Sequence, residues 1–217
     1  MKSVNIDKIY SILKKDVTNY NVPVVDLVET QTKDPFKVLV ATIMSARTKD
    51  ETTTLAAQKL FKKVKKIEDL NKLSVREIEK LIYPVSFYKN KAKYLKKLPK
   101  ALKEFDNKIP SSIDELVKLP GVGRKTANLV VAVGFKKKAI CVDVHVHRIM
   151  NRLGYVKTKT PHETEMALRK KLPGKYWIKM NSILVAFGQN LCRPISPYCS
   201  KCPIIKYCNQ VDVGTKR

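Results

Sequence analysis

Apolar residues recur along this chain at three- and four-residue spacing, and most of these stripes follow a residue able to cap a helix. Ile6, Ile9, Tyr10 and Leu13 fall at i, i+3, i+4 and i+7, one buried face of a helix. Asp34-Pro35 offers an N-cap and a proline for the first helical position, and Phe36, Leu39, Val40 and Ile43 follow at helical spacing. Asp50 is expected to cap a helix burying Ala57, Leu60, Phe61 and Val64. Ser74 with Glu77, ahead of Ile78, Leu81 and Ile82, fits a capping box, and Thr160, Pro161 and Glu163 repeat the signal. Leu95, Leu98, Leu102 and Phe105 make another stripe, with Pro99 inside it, so a kink or break is expected there. No period-two run stands out, and no Asn-Gly or Asp-Gly turn joins two apolar segments. The expected fold class is all-α.

The charge balance narrows the partner. Lys and Arg number 44 and Asp and Glu 19, a net charge of +25 over 217 residues. Self-repulsion on that scale is tolerated where a polyanion binds, which favours nucleic acid over an anionic membrane surface or a merely Lys-rich exterior. Eight lysines lie between Tyr88 and Lys108, and Lys59, Lys62, Lys63, Lys65 and Lys66 form a second cluster. Taken singly, each reads as part of a solvated helix face. A hydrophobic fraction of 44% argues against general disorder, and no apolar run reaches the ~18–20 residues of a membrane span. The first residues, MKSVNIDKIY, have no apolar stretch like that of a signal peptide, so a monomer in the cytoplasm or nucleoid is expected.

The most informative segment is Leu119-Pro120-Gly121-Val122-Gly123-Arg124-Lys125-Thr126-Ala127. A short helix should precede it, with Ser112 as cap and Glu115 reaching back. A longer one should follow, carrying Ala127, Leu129, Val130, Val131 and Val133 and ending near Gly134. Helix, Gly-x-Gly hairpin, helix is a compact backbone anion site: glycines let a phosphate oxygen approach main-chain N–H groups, and the second helix adds the positive end of its dipole. A tight turn between packed helices is the plainer alternative. Four of five cysteines, Cys192, Cys199, Cys202 and Cys208, crowd the last 26 residues, while Cys141 reads as a small buried apolar residue. Their C-x6-C-x2-C-x5-C spacing fits either zinc or an iron–sulfur cluster.

L-P-G-V-G-R-K-T-A at 119–127, V-D-V-H at 142–145 and the four-cysteine spacing together resemble the endonuclease III family, in particular its archaeal members. These are helix-hairpin-helix DNA glycosylases with a [4Fe–4S] cluster. The resemblance implies a helical barrel-like domain over 27–137 and a cluster domain built from 1–26 and 138–217, with the active site in a groove between them. It implies a bifunctional DNA glycosylase and AP lyase that acts on double-stranded DNA holding an oxidised pyrimidine, such as thymine glycol, or an abasic site. Lys125 would attack the sugar and Asp143, which can also cap its helix, would assist. Cys192, Cys199, Cys202 and Cys208 would hold the cluster, and Gly121, Val122, Gly123 and Arg193 would face DNA phosphates. His145 matches a position near the site, with packing as its alternative. Arg47, where relatives commonly carry Gln, and Phe87, where many carry Leu, would fill the gap left by an extruded base; a core position is the alternative for Phe87. Two other readings are a non-enzymatic nucleic-acid-binding module with structural zinc and a mismatch-specific glycosylase, which usually lacks a lysine at the position of Lys125.

Attack by Lys125 needs a neutral amine, and at an ordinary pKa of ~10.4 only about one lysine in 2,500 is neutral at pH 7. Correcting this takes ~3–5 kcal/mol, of which a helix dipole supplies ~0.3–1 kcal/mol. Partial burial of Lys125, aided by repulsion from Arg124, is therefore expected to supply the rest.

Overall fold

The computed structural model describes residues 3–20 and 34–217. The expected domain junction at residues 26 and 27 lies outside them. The chain divides into two compact units, Met1–Pro23 with Lys138–Arg217, and Val24–Lys137. Among the described residues all regular structure is helical, and no helix is long and apolar enough to cross a membrane.

In the second unit, α2 (Pro35–Ser45) is capped by Asp34, whose side chain accepts from Phe36 N. It buries Phe36, every residue from Val38 to Ile43, and Met44. A helix apolar on all sides is a central one, and here α3 (Asp50–Lys63), α5 (Tyr88–Leu102) and α7 (Arg124–Leu129) pack around it. The cap of α3 is Lys49, which makes no side-chain bond; Asp50 is instead a first-turn acid favoured by the dipole. Ser74 and Glu77 form the expected reciprocal box at the start of α4 (Val75–Ile82). Pro99 does not break α5, which runs on to Leu102. Leu95, Leu98, Pro99 and Leu102 are all buried, and that packing offsets the backbone hydrogen bond that the ring removes.

After the short α6 (Ile113–Leu116), capped by Ser112, the chain turns through Gly121–Gly123 into α7. A single π turn over Val130–Gly134 continues α7 and packs on α2. In the other unit, α1 (Ile6–Asp16), α8 (Val144–Arg152), α9 (Pro161–Lys171) and α10 (Trp177–Asn190) share a core that includes Ile9, Leu13, Met150, Leu168, Leu184 and Phe187. The segment holding four cysteines follows α10 and has only single-turn helices at Cys199–Lys201 and Ile205–Tyr207. It borrows that core through Ile204.

Candidate nucleic-acid interface

The hairpin separates the roles of its two glycines. Gly121 sits at φ +77°, and a Cβ there would lie 2.7 Å from Tyr94 Cδ2 on α5, so the fold itself demands glycine. Gly123, the N-cap of α7, has φ −92° and ψ 175°, a conformation open to any residue, and a Cβ there would meet nothing within 4 Å. No steric contact among the described residues accounts for its missing side chain. Val122, expected at the DNA contact, is buried, and its N–H donates to Leu119 O.

Lys125 lies in the first turn of α7, two residues past Gly123, and is exposed. The expected partial burial is not found: Arg124, Lys125 and Gly123 all face solvent, while Ala127 and Asn128 turn inward. The physical reason is helical periodicity, because the inward face of α7 is set by packing on α2 and Lys125 falls opposite it.

Arg47 and Phe87, 40 residues apart in sequence, come together. Both are exposed, both adopt left-handed backbone (φ +56° and +57°), and the Arg47 guanidinium lies 5.9 Å from the Phe87 ring centroid. Phe87 is 60% exposed and is therefore no core residue. Left-handed backbone at a non-glycine residue costs about 1–3 kcal/mol and persists only where the surroundings enforce it.

One such constraint is Lys91, a residue that the charge pattern alone places among the solvated lysines. It is 5% exposed. Its Nζ donates to Met44 O (2.7 Å), Ala46 O (2.6 Å) and Thr48 Oγ1 (3.2 Å). Burial pushes its pKa down to about 8, while three acceptors around three ammonium protons favour the charged form. The sequence did carry a signal for it: Lys91 continues the Leu95, Leu98, Leu102 stripe one turn back.

In the other unit, Asp143 caps α8. It is buried, and its Oδ1 accepts from His145 N (2.9 Å) and Val146 N (3.0 Å). His145 is half-buried with Nδ1 3.1 Å from Arg148 Nη2. A Cβ on Gly188 would lie 2.6 Å from that Nδ1, so His145 packs where α8 and α10 approach closely. Arg148 also donates to Gly188 O and Cys192 O. One turn on, Arg152 donates to Arg193 O and Pro194 O, both at 2.7 Å. These two arginines brace the start of the Cys192–Cys199 loop. Arg193 is exposed, with its guanidinium 5.2 Å from the Tyr198 ring centroid; that of Arg217 lies 4.3 Å from the same ring.

Cys192, Cys199, Cys202 and Cys208 line one cavity, whose walls include Ile149, Leu153, Phe187, Leu191 and Ile204. All four are half-buried thiols, and burial pushes Cys202 up to about 12. Zinc and an iron–sulfur cluster both take four thiolates, and this donor set around one cavity fits either. Cys141 is buried and does not line that cavity.

Comparison with known proteins bears on these features together. Residues 40–174 match the family described as HhH-GPD superfamily base excision DNA repair protein. Endonuclease III of the bacterium Thermotoga maritima is 47% identical over 176 residues, which cover 81% of this chain and 83% of that protein. A solved non-covalent endonuclease III–DNA complex matches with a TM-score of 0.83 and 33% identity over 94% of each chain. A trapped endonuclease III–DNA covalent intermediate, in an estranged-adenine complex, matches with a TM-score of 0.76 and 36% identity, covering 82% of this chain and 84% of that one.

Proposed function

This chain belongs to the endonuclease III family of base-excision DNA repair proteins, and on that premise we propose that Lys125 is the nucleophile of a bifunctional DNA glycosylase and AP lyase. The substrate is double-stranded DNA carrying an oxidised pyrimidine, such as thymine glycol, or an abasic site. The carrying observation is Lys125 exposed in the first turn of α7, two residues past a glycine whose Cβ would meet nothing.

The Nζ lone pair forms a bond to C1′, and the base departs with the glycosidic electron pair. The sugar ring opens as the nitrogen becomes an imine. Loss of a C2′ proton then expels the 3′ phosphate and nicks the strand. Lys125 is exposed among the described residues, and the bound duplex, lying over the hairpin, supplies the desolvation that a neutral amine requires. Asp143 stabilises positive charge developing at the sugar and takes up the amine's proton. The two hydrogen bonds that its Oδ1 accepts from α8 amides hold the carboxylate in one orientation. Gly123 admits a phosphate to the hairpin backbone, and Arg193 meets another from the braced loop. Arg47 and Phe87 occupy the gap left by the extruded nucleotide.

The four cysteines would hold a [4Fe–4S] cluster, which ties down a C-terminal segment with no core of its own. The reading assigns 27–137 to the hairpin-bearing domain and 1–26 with 138–217 to the cluster domain.

Borohydride reduction on abasic DNA tests the nucleophile. Wild type should be trapped covalently, and Lys125→Ala should not; a trapped species that survives the substitution rejects the assignment.

A further inference from the structure

We propose that Lys91 is a positioning residue that locks Arg47 and Phe87 into a single preformed wedge, so that duplex opening depends on a buried ammonium that never touches DNA. The inference rests on the base-excision reading and extends it to a residue outside the catalytic and DNA-contacting sets.

Lys91 grips both tips. Its side chain bonds Met44 O and Ala46 O, just before Arg47, and Thr48 Oγ1, just after it. Its own backbone N–H donates to Phe87 O. Thr48 Oγ1 closes the ring by accepting from Ser86 N at 3.2 Å, the residue before Phe87. An ammonium has three protons, and here three oxygens receive them. Two of these are carbonyls at the C-terminal end of α2, where helix geometry leaves acceptors without intrahelical partners and the dipole favours a cation. Both tip residues hold left-handed backbone that an unrestrained loop would abandon. A general surface role is excluded by burial, and a direct DNA contact by all three protons being engaged within the fold.

The consequence is kinetic. A wedge already in shape enters the duplex without first having to order itself. Without the ammonium the two tips move independently, and extrusion slows while the lyase chemistry at Lys125 remains. The test compares wild type, Lys91→Leu and Thr48→Val as full chains with cluster. One substrate is a thymine glycol duplex with 2-aminopurine opposite the lesion, which reports unstacking. The other is a single-stranded abasic oligonucleotide, which needs no opening. For Lys91→Leu, unstacking and excision should both fall at least about tenfold, ~1.4 kcal/mol, with abasic nicking reduced less than about twofold. Thr48→Val should shift in the same direction by less, and it carries the test if Lys91→Leu does not fold. Unchanged duplex excision in the variants overturns the proposal, as does parallel loss of both activities in Thr48→Val, which would mark a purely structural role. A wild type that acts on neither substrate overturns the base-excision reading instead, and this inference with it.

Discussion

Gly121 and Gly123 are separated by one residue and answer to different forces. Gly121 holds a left-handed backbone against the Tyr94 ring, so Gly121→Ala should cost about 1–2 kcal/mol of stability, measured by chemical denaturation. At Gly123 the backbone is ordinary and the space open. Serine is a favoured N-cap, so Gly123→Ser should leave stability unchanged or raise it by a few tenths of a kcal/mol. Its side chain would stand where a phosphate must approach, so affinity for abasic duplex should drop at least about tenfold. Retained affinity would show that the open space serves no ligand. Lys91 carries a related lesson: a lysine in a basic stretch is not on the surface merely because its neighbours are.

At the scale of elements, local chemistry explains where helices begin. Asp34, Ser74, Ser112, Asp143 and Thr160 each accept a hydrogen bond from an amide of the first turn. A single helical turn contains all the atoms involved, so these caps are legible without a fold. The short helix Ile67–Lys72 is likewise held at its start by bonds within one local stretch. There the Lys72 ammonium, with the backbone N–H groups of Lys66 and Lys65, holds Asp69 down from the ordinary 3.8 to about 2. The folded value is the lower one, so this contribution is complete above about pH 4 and fades as pH falls toward 2. Asp69→Asn should flatten the stability curve in that window, seen by thermal melts between pH 2 and 5. Two local signals were not followed: α5 passes through the buried Pro99, and α3 starts one residue earlier than an Asp50 cap would place it, with Lys49 as its cap.

Across the whole molecule the net charge of +25 should set the salt dependence of binding. Log affinity for duplex DNA should fall linearly with log salt, with slope about −0.9 per phosphate neutralised. A flat dependence would mean that the charge serves another purpose. The cysteine cavity makes a second global prediction. Purified protein should be brown with about four irons per chain, and replacing Cys202 by serine should lower the melting temperature and the iron content together. A colourless, zinc-loaded protein of full activity would defeat the cluster assignment.

What the chain determined by itself is local or compositional: the helical periods, their caps, the positive charge, and three motifs whose residues lie close in sequence. The hairpin, the Asp143 cap and the cysteine spacing were visible because their interactions span a few residues. The tertiary structure alone decided that Arg47 meets Phe87, that Lys91 is buried beneath them, and that four thiols surround one cavity. It also decided that Lys125 faces water, where the chemistry of an amine nucleophile had suggested shelter. The reason is physical: a cap is settled within one turn, whereas burial and long-range contact depend on which faces of distant helices pack together.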